Sequence, residues 1–210
     1  MNIQINLYEF FGNLIPGSVY MIAYLSILDS TNILNYQIIL FLPEEYHWPL
    51  LLAALILAYI LGFLMDTIVS SIFFQIKKQD QYVDENFRRK IVDLGHTYKK
   101  VNHHHAYALF GKLRLENLEV ANTIERDKVL SITLRNIGAA FSLLAIDQFI
   151  RLVTIGYNII NLVLCLTFLL LSFLAFYRSA KFIGFFFAAI AETYLGKQTE
   201  VDTLLGLERK

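Results

Sequence analysis

Long apolar stretches alternating with polar ones set the plan of this chain. Crossing the hydrocarbon layer of a bilayer takes about 20 mostly apolar helical residues. Stretches of that kind run from Phe10 to Leu28, Pro49 to Phe74, Val129 to Ile150 and Ile155 to Tyr177. The second is the most apolar: Pro49 sets its start, and LLLAALILAYILGFLM follows with Asp66 as its charge. The first is the least apolar, and carries Pro16 and Gly17 near its start, where proline fits the first helical turn or else kinks the entry. Between the second and third stretches the periodicity changes. Asp80 to Arg89 is densely charged, whereas Ala106 to Ile124 sets Leu109, Leu113, Leu118 and Ala121 mostly at three- and four-residue steps. That is the spacing of an amphipathic helix, and the pattern runs on into the third span. Phe182 to Ala191 is apolar almost all round but too short to cross, so it extends the fourth helix or lies in the interface.

Charge gives this pattern a direction. No lysine or arginine precedes Lys77, and eleven of the eighteen fall between Lys77 and Lys128. Loops on the cytoplasmic side of a membrane hold Lys and Arg while exported loops lack them. The segment from Asp29 to Trp48, with Asp29, Glu44, Glu45 and His47 and no basic residue, belongs outside, as does the tight turn around Arg151 and Gly156. The basic insert and the tail, with Arg178, Lys181, Lys197, Arg209 and Lys210, then face the cytoplasm together with the N-terminus. The expectation is an all-α fold, a four-helix transmembrane bundle with a small helical cytosolic cap. Its parts are a first transmembrane hairpin at 1–76, the basic insert at 77–128, a second transmembrane hairpin at 129–178, and a cytosolic C-terminal helix and tail at 179–210. The cap is built from the extension of helix two, the insert helix and the extension of helix four.

Composition agrees. At 56% hydrophobic and 17% charged, the 210-residue chain is more apolar than a soluble domain, in which about a quarter of residues are charged. The formal net charge of zero hides the segregation of sign along the chain. One cysteine, Cys165, lies in an apolar stretch, which excludes an internal disulfide and a thiolate-rich metal cluster and leaves a small core residue. The N-terminus has neither the positive region nor the cleavage site of a signal peptide, so the first helix is expected to be retained.

Candidate chemistry falls in two places. In the insert, Tyr98-Lys99-Lys100-Val101-Asn102-His103-His104-His105 is followed by Tyr107, Lys112 and Arg114, and preceded by Arg88 and Arg89. Lys and Arg attract phosphates while Tyr and His faces can stack on bases, so a nucleotide or a short single-stranded nucleic acid finds both terms here. The competing reading is a solvated positive face next to a membrane, where anionic lipid headgroups are attracted in the same way. Three contiguous histidines on a helix point about 100° apart and cannot close on one ion. With no cysteine nearby, no metal site is assigned and no cofactor is expected. Within the spans, Asp66 is the costly group, a carboxylate that must face a bundle interior or a water-filled path, with Arg135 at the head of span three as its partner. Asp66, Ser70, Arg135 and Asn136 are the candidate pore or intramembrane polar residues; interhelical hydrogen-bonding is the commoner use of such groups. Asp147 reads as a boundary residue paired with Arg151 four positions on. No Walker loop, nucleophile elbow or dinucleotide fingerprint is present, and no enzymatic activity is expected.

The opening Tyr8-Glu9-Phe10-Phe11-Gly12-Asn13-Leu14-Ile15-Pro16-Gly17, leading into the first span, resembles the start of small multi-pass proteins of bacterial defence loci. A basic insert followed by Arg135-Asn136 fits the same picture, which looks most like the membrane effectors that partner a nucleotide-signal-producing enzyme in antiphage systems such as Hailong. The resemblance covers about a quarter of the chain. It implies a homo-oligomer, a tetramer, in the bacterial inner membrane, forming a pore gated by a nucleotide or oligonucleotide bound on the cytosolic side, with a nucleotidyltransferase encoded nearby. The alternative is a non-conducting membrane scaffold that recruits a cytosolic partner.

Overall fold

A computed structural model describes residues 7–31, 47–77, 79–93, 103–154, 156 and 158–195. All regular structure there is helical: α1 (Leu7–Ser30), α2 (His47–Lys77), α3 (Gln79–Asp93), α4 (His103–Glu116), α5 (Leu118–Thr154) and α6 (Ile159–Leu195). Three of these are long and apolar enough to cross a membrane, over His47–Phe73 in α2, Leu118–Thr154 in α5 and Ile159–Thr193 in α6. The chain is therefore an all-α, multi-pass membrane protein. Among the described residues three helices, against the expected four, meet this length and apolarity; α1 carries Asn13, Ser18, Tyr20, Ser26 and Asp29 among its apolar residues.

The chain divides into two compact units, one of Met1–Ser70 with Ile132–Ser179 and the other of Ser71–Ser131 with Ala180–Lys210. Small residues set the packing of the first. Gly17 of α1 lies against the backbone carbonyl of Ala58, and Gly62 of α2 against that of Asn13, so closely that a Cβ at either glycine would collide with a main-chain oxygen. Such approach lets two helices gain dispersion contact where lipid supplies no hydrophobic drive for their association. Phe10 stacks on Tyr59 beside this contact, with ring centroids 5.5 Å apart. Between α5 and α6, Gly138 packs on Ala175 and Phe176. Farther along, the hydroxyls of Ser142 and Ser172 share a hydrogen bond of 2.7 Å, and Cys165 Sγ donates to the Ala145 carbonyl at 3.5 Å. The two helices are joined through Gly156, whose φ of 103° suits a residue without a Cβ. Asn158 then caps α6, its Oδ1 accepting from the Ile160 amide at 2.9 Å.

The second unit has its own apolar core. Val83 and Phe87 of α3, Leu109, Phe110 and Leu113 of α4, Ala121 and Ile124 of α5, and Ile183, Phe186, Phe187 and Ile190 of α6 are all buried together. Phe182 to Ala191 is thus a continuation of α6. Two local expectations are corrected. Pro16 lies inside α1, which begins at Leu7, so of the two alternatives for it the first helical turn is ruled out. Ala106 to Ile124 is two helices: Asn117 interrupts them, accepting at Oδ1 from the Val120 amide at 3.2 Å, the N-cap bond that starts α5. Past that break the helical phase resets, and Leu118 is 56% exposed instead of inward. From its new start α5 does continue unbroken into the third span.

Candidate functional site

Polar side chains inside the first unit gather in two clusters. In one, Arg135 of α5 extends Nη2 to within 2.7 Å of Asp66 Oδ1 on α2, and Asn136 Nδ2 donates to the same oxygen at 3.0 Å. Arg135 is 4% exposed and the Asp66 side chain 28%, so the guanidinium is the more deeply enclosed partner. A charge taken out of water is tolerable there only because an opposite charge neutralises it at hydrogen-bond distance. The expected pairing of Asp66 with Arg135 is present, with Asn136 joined to it. Ser70 stands one turn beyond Asp66, but its hydroxyl donates to the Thr67 carbonyl at 3.1 Å and bridges no second helix in doing so.

The other cluster joins the last turns of α1 and α5. Asp147, fully buried, accepts at Oδ2 from Ser26 Oγ at 2.7 Å, from Gln148 Nε2 at 3.0 Å and from Arg151 Nε at 3.1 Å. Arg151 Nη2 also donates to the Ser26 carbonyl at 3.1 Å and to Asp29 Oδ2 at 3.4 Å. The pairing of Asp147 with Arg151 was legible from their spacing. Its extension to Ser26 and Asp29 was not assigned, although placing both loops on one side of the membrane already brought Asp29 and Arg151 to the same end.

The residues of the basic insert are dispersed. Arg88 and Arg89 are exposed on α3, and His104 and His105 on the first turn of α4. Lys99 and Lys100 lie outside the described residues, as does the side chain of His103. Tyr107 is half-buried, its ring 6.0 Å from those of Phe186 and Phe187, with Lys128 Nζ 5.2 Å above it. It serves as a packing residue with a cationic neighbour, so its ring is no open stacking platform. Lys112 Nζ lies 3.6 Å from Glu116 and Arg114 Nη2 3.9 Å from the buried Glu125. Both cations are thus partly neutralised by their own unit. Among the described residues, no group of three or more His, Cys, Asp or Glu is placed to hold a metal ion.

No protein-family model, curated protein or solved structure matches this chain. The reading of function accordingly rests on these side chains.

Proposed function

We propose that this chain is a homo-oligomeric membrane effector, a tetramer in the bacterial inner membrane with both termini in the cytoplasm, whose helices form a gated ion pathway. A nucleotide or short single-stranded oligonucleotide bound by the insert controls it, in the setting of antiphage defence and alongside a nucleotide-producing enzyme. The observation that carries the reading is the Asp66–Arg135–Asn136 cluster. Charged residues in spanning helices are expensive and are kept where a polar path needs them. One copy of the chain is too small a bundle to enclose a channel, so several copies surround the axis. Arg88, Arg89, His104 and His105, exposed on neighbouring helices, supply the anion-attracting face, with Lys99, Lys100, His103, Tyr107, Lys112 and Arg114 completing the expected set.

Purified protein in a planar bilayer should pass current that changes when a short single-stranded oligonucleotide is added to the insert side. An absence of current with and without it rejects the pathway, and current indifferent to it rejects the ligand. Charge reversal at Lys99, Lys100 and Arg114 should weaken oligonucleotide binding at least tenfold at low salt and flatten its salt dependence. A second reading, a non-conducting scaffold recruiting a cytosolic partner, is favoured by the Lys112–Glu116 and Arg114–Glu125 pairs and by the packing of Tyr107, which leave less of the insert for an anion. A stoichiometric protein partner without ion flux would select it.

A further inference from the structure

From Ile159 to Tyr177 helix α6 carries no charge, and at about 1.5 Å per residue Arg178 lies about 28 Å beyond Ile159. The hydrocarbon layer is about 30 Å thick, so Arg178 stands where hydrocarbon gives way to headgroups. It ends an exposed strip of the helix. Leu166, Leu170, Phe173, Leu174 and Tyr177 are exposed at three- and four-residue steps, or next to one another, and Arg178 follows one turn beyond Leu174. Among the described residues its guanidinium makes no hydrogen bond and no ion pair. The acidic residue of α6, Glu192, lies about 21 Å farther along the helix and is no partner for it.

We propose that Arg178, beside Tyr177, binds the phosphate of an anionic phospholipid in the leaflet at this end of the span. A guanidinium fork meets two phosphate oxygens in parallel N–H···O bonds, a geometry that a lysine ammonium does not offer. Tyr177, 61% exposed, has the amphipathic ring that sits at headgroup level in spanning helices. Toward the bilayer centre, Leu170, Phe173 and Leu174 give the acyl chains an apolar wall, which a soluble anion leaves unused. Lys181, three positions on in the same helix, adds positive charge to this stretch, with its Nζ 5.8 Å from the centre of the Phe185 ring. A zwitterionic lipid brings a cation of its own, which such a stretch repels, so the preference is for a headgroup of net negative charge. The inference is independent of whether the protein conducts.

Native mass spectrometry of the full-length protein, released from bilayers of equal phosphatidylglycerol and phosphatidylcholine, counts the lipids that stay bound. The unaltered protein should retain phosphatidylglycerol in excess. Arg178→Gln should cut that excess about fivefold, the effect of one basic residue at an anionic surface, and Arg88→Gln in the insert should change it far less. Equal retention of the two lipids by the unaltered protein overturns the proposal, since water then suffices for the arginine. A drop no larger for Arg178→Gln than for Arg88→Gln overturns it too, because the attraction would then be diffuse. Sodium phosphate, at the ionic strength of the chloride it replaces, should displace no lipid; displacement would make this a soluble-anion site and overturn the proposal. Should Arg178→Gln fail to fold, a photoreactive phosphatidylglycerol headgroup on the unaltered protein decides. Labelling within residues 177–181 is expected, and labelling that misses them overturns the proposal.

Discussion

Arg135 and Asp66 differ in what each leaves behind when the other is removed. Asp66→Asn takes the opposite charge away from a guanidinium that is 4% exposed, and should cost about 3–5 kcal/mol of stability. Arg135→Gln leaves a carboxylate that is 28% exposed and still holds Asn136, so its cost should be smaller. Chemical or thermal denaturation of the two variants gives the order directly, and the double variant should lose less than the sum of the two. The pair was legible in the sequence because few charges lie inside the apolar stretches, and a lone acid and a lone base in hydrocarbon have few other partners. The burial of Tyr20, its hydroxyl included, escaped notice for the opposite reason. Nothing in a tyrosine within an apolar run says that its hydroxyl faces inward, since that depends on how α1 is rotated against its neighbours.

At the level of helices, sequence periodicity located most elements but misjudged their joints. Leu109, Leu113 and Ala121 are buried as their spacing predicts, yet the helix that seemed to carry all three is interrupted by Asn117. An asparagine among helix formers signals a cap only when its neighbours turn, which periodicity does not register. Asn117→Ala should cost about 1 kcal/mol, and Asn117→Asp should cost far less, because an aspartate oxygen can accept the same amide. Circular dichroism through a thermal melt measures both. Of the glycines of the α1–α2 contact, Gly17 was visible at the start of the first span and in the opening that carries the resemblance, and Gly62 only as one letter of an apolar run; their physical role emerges from the backbone they touch. Gly17→Ala or Gly62→Ala should destabilise by about 1–3 kcal/mol or more through overpacking. Gly111→Ala, where added volume meets open space, should be neutral or stabilise by up to about 1 kcal/mol. A melt in which all three behave alike would contradict that distinction.

For the molecule as a whole, the alternation of apolar and polar stretches established helical class and membrane residence, because hydrophobic length is written locally. Whether α1 also crosses is a property of the assembly. Its last turn is fastened to α5 through Ser26, Asp29, Asp147 and Arg151, and its glycine face is fitted to α2. This has a consequence for biogenesis. During synthesis α1 leaves the ribosome before α2 and long before α5, so it meets the insertion machinery without the partners that offset its polar groups. A chain ended after residue 77 should therefore leave α1 largely uninserted, while the full chain carries it across, and glycosylation or protease-protection tags near residue 31 would register the difference. Equal insertion of the two would mean that α1 enters lipid unaided. A helix made before its partners is, on this account, among the last to settle.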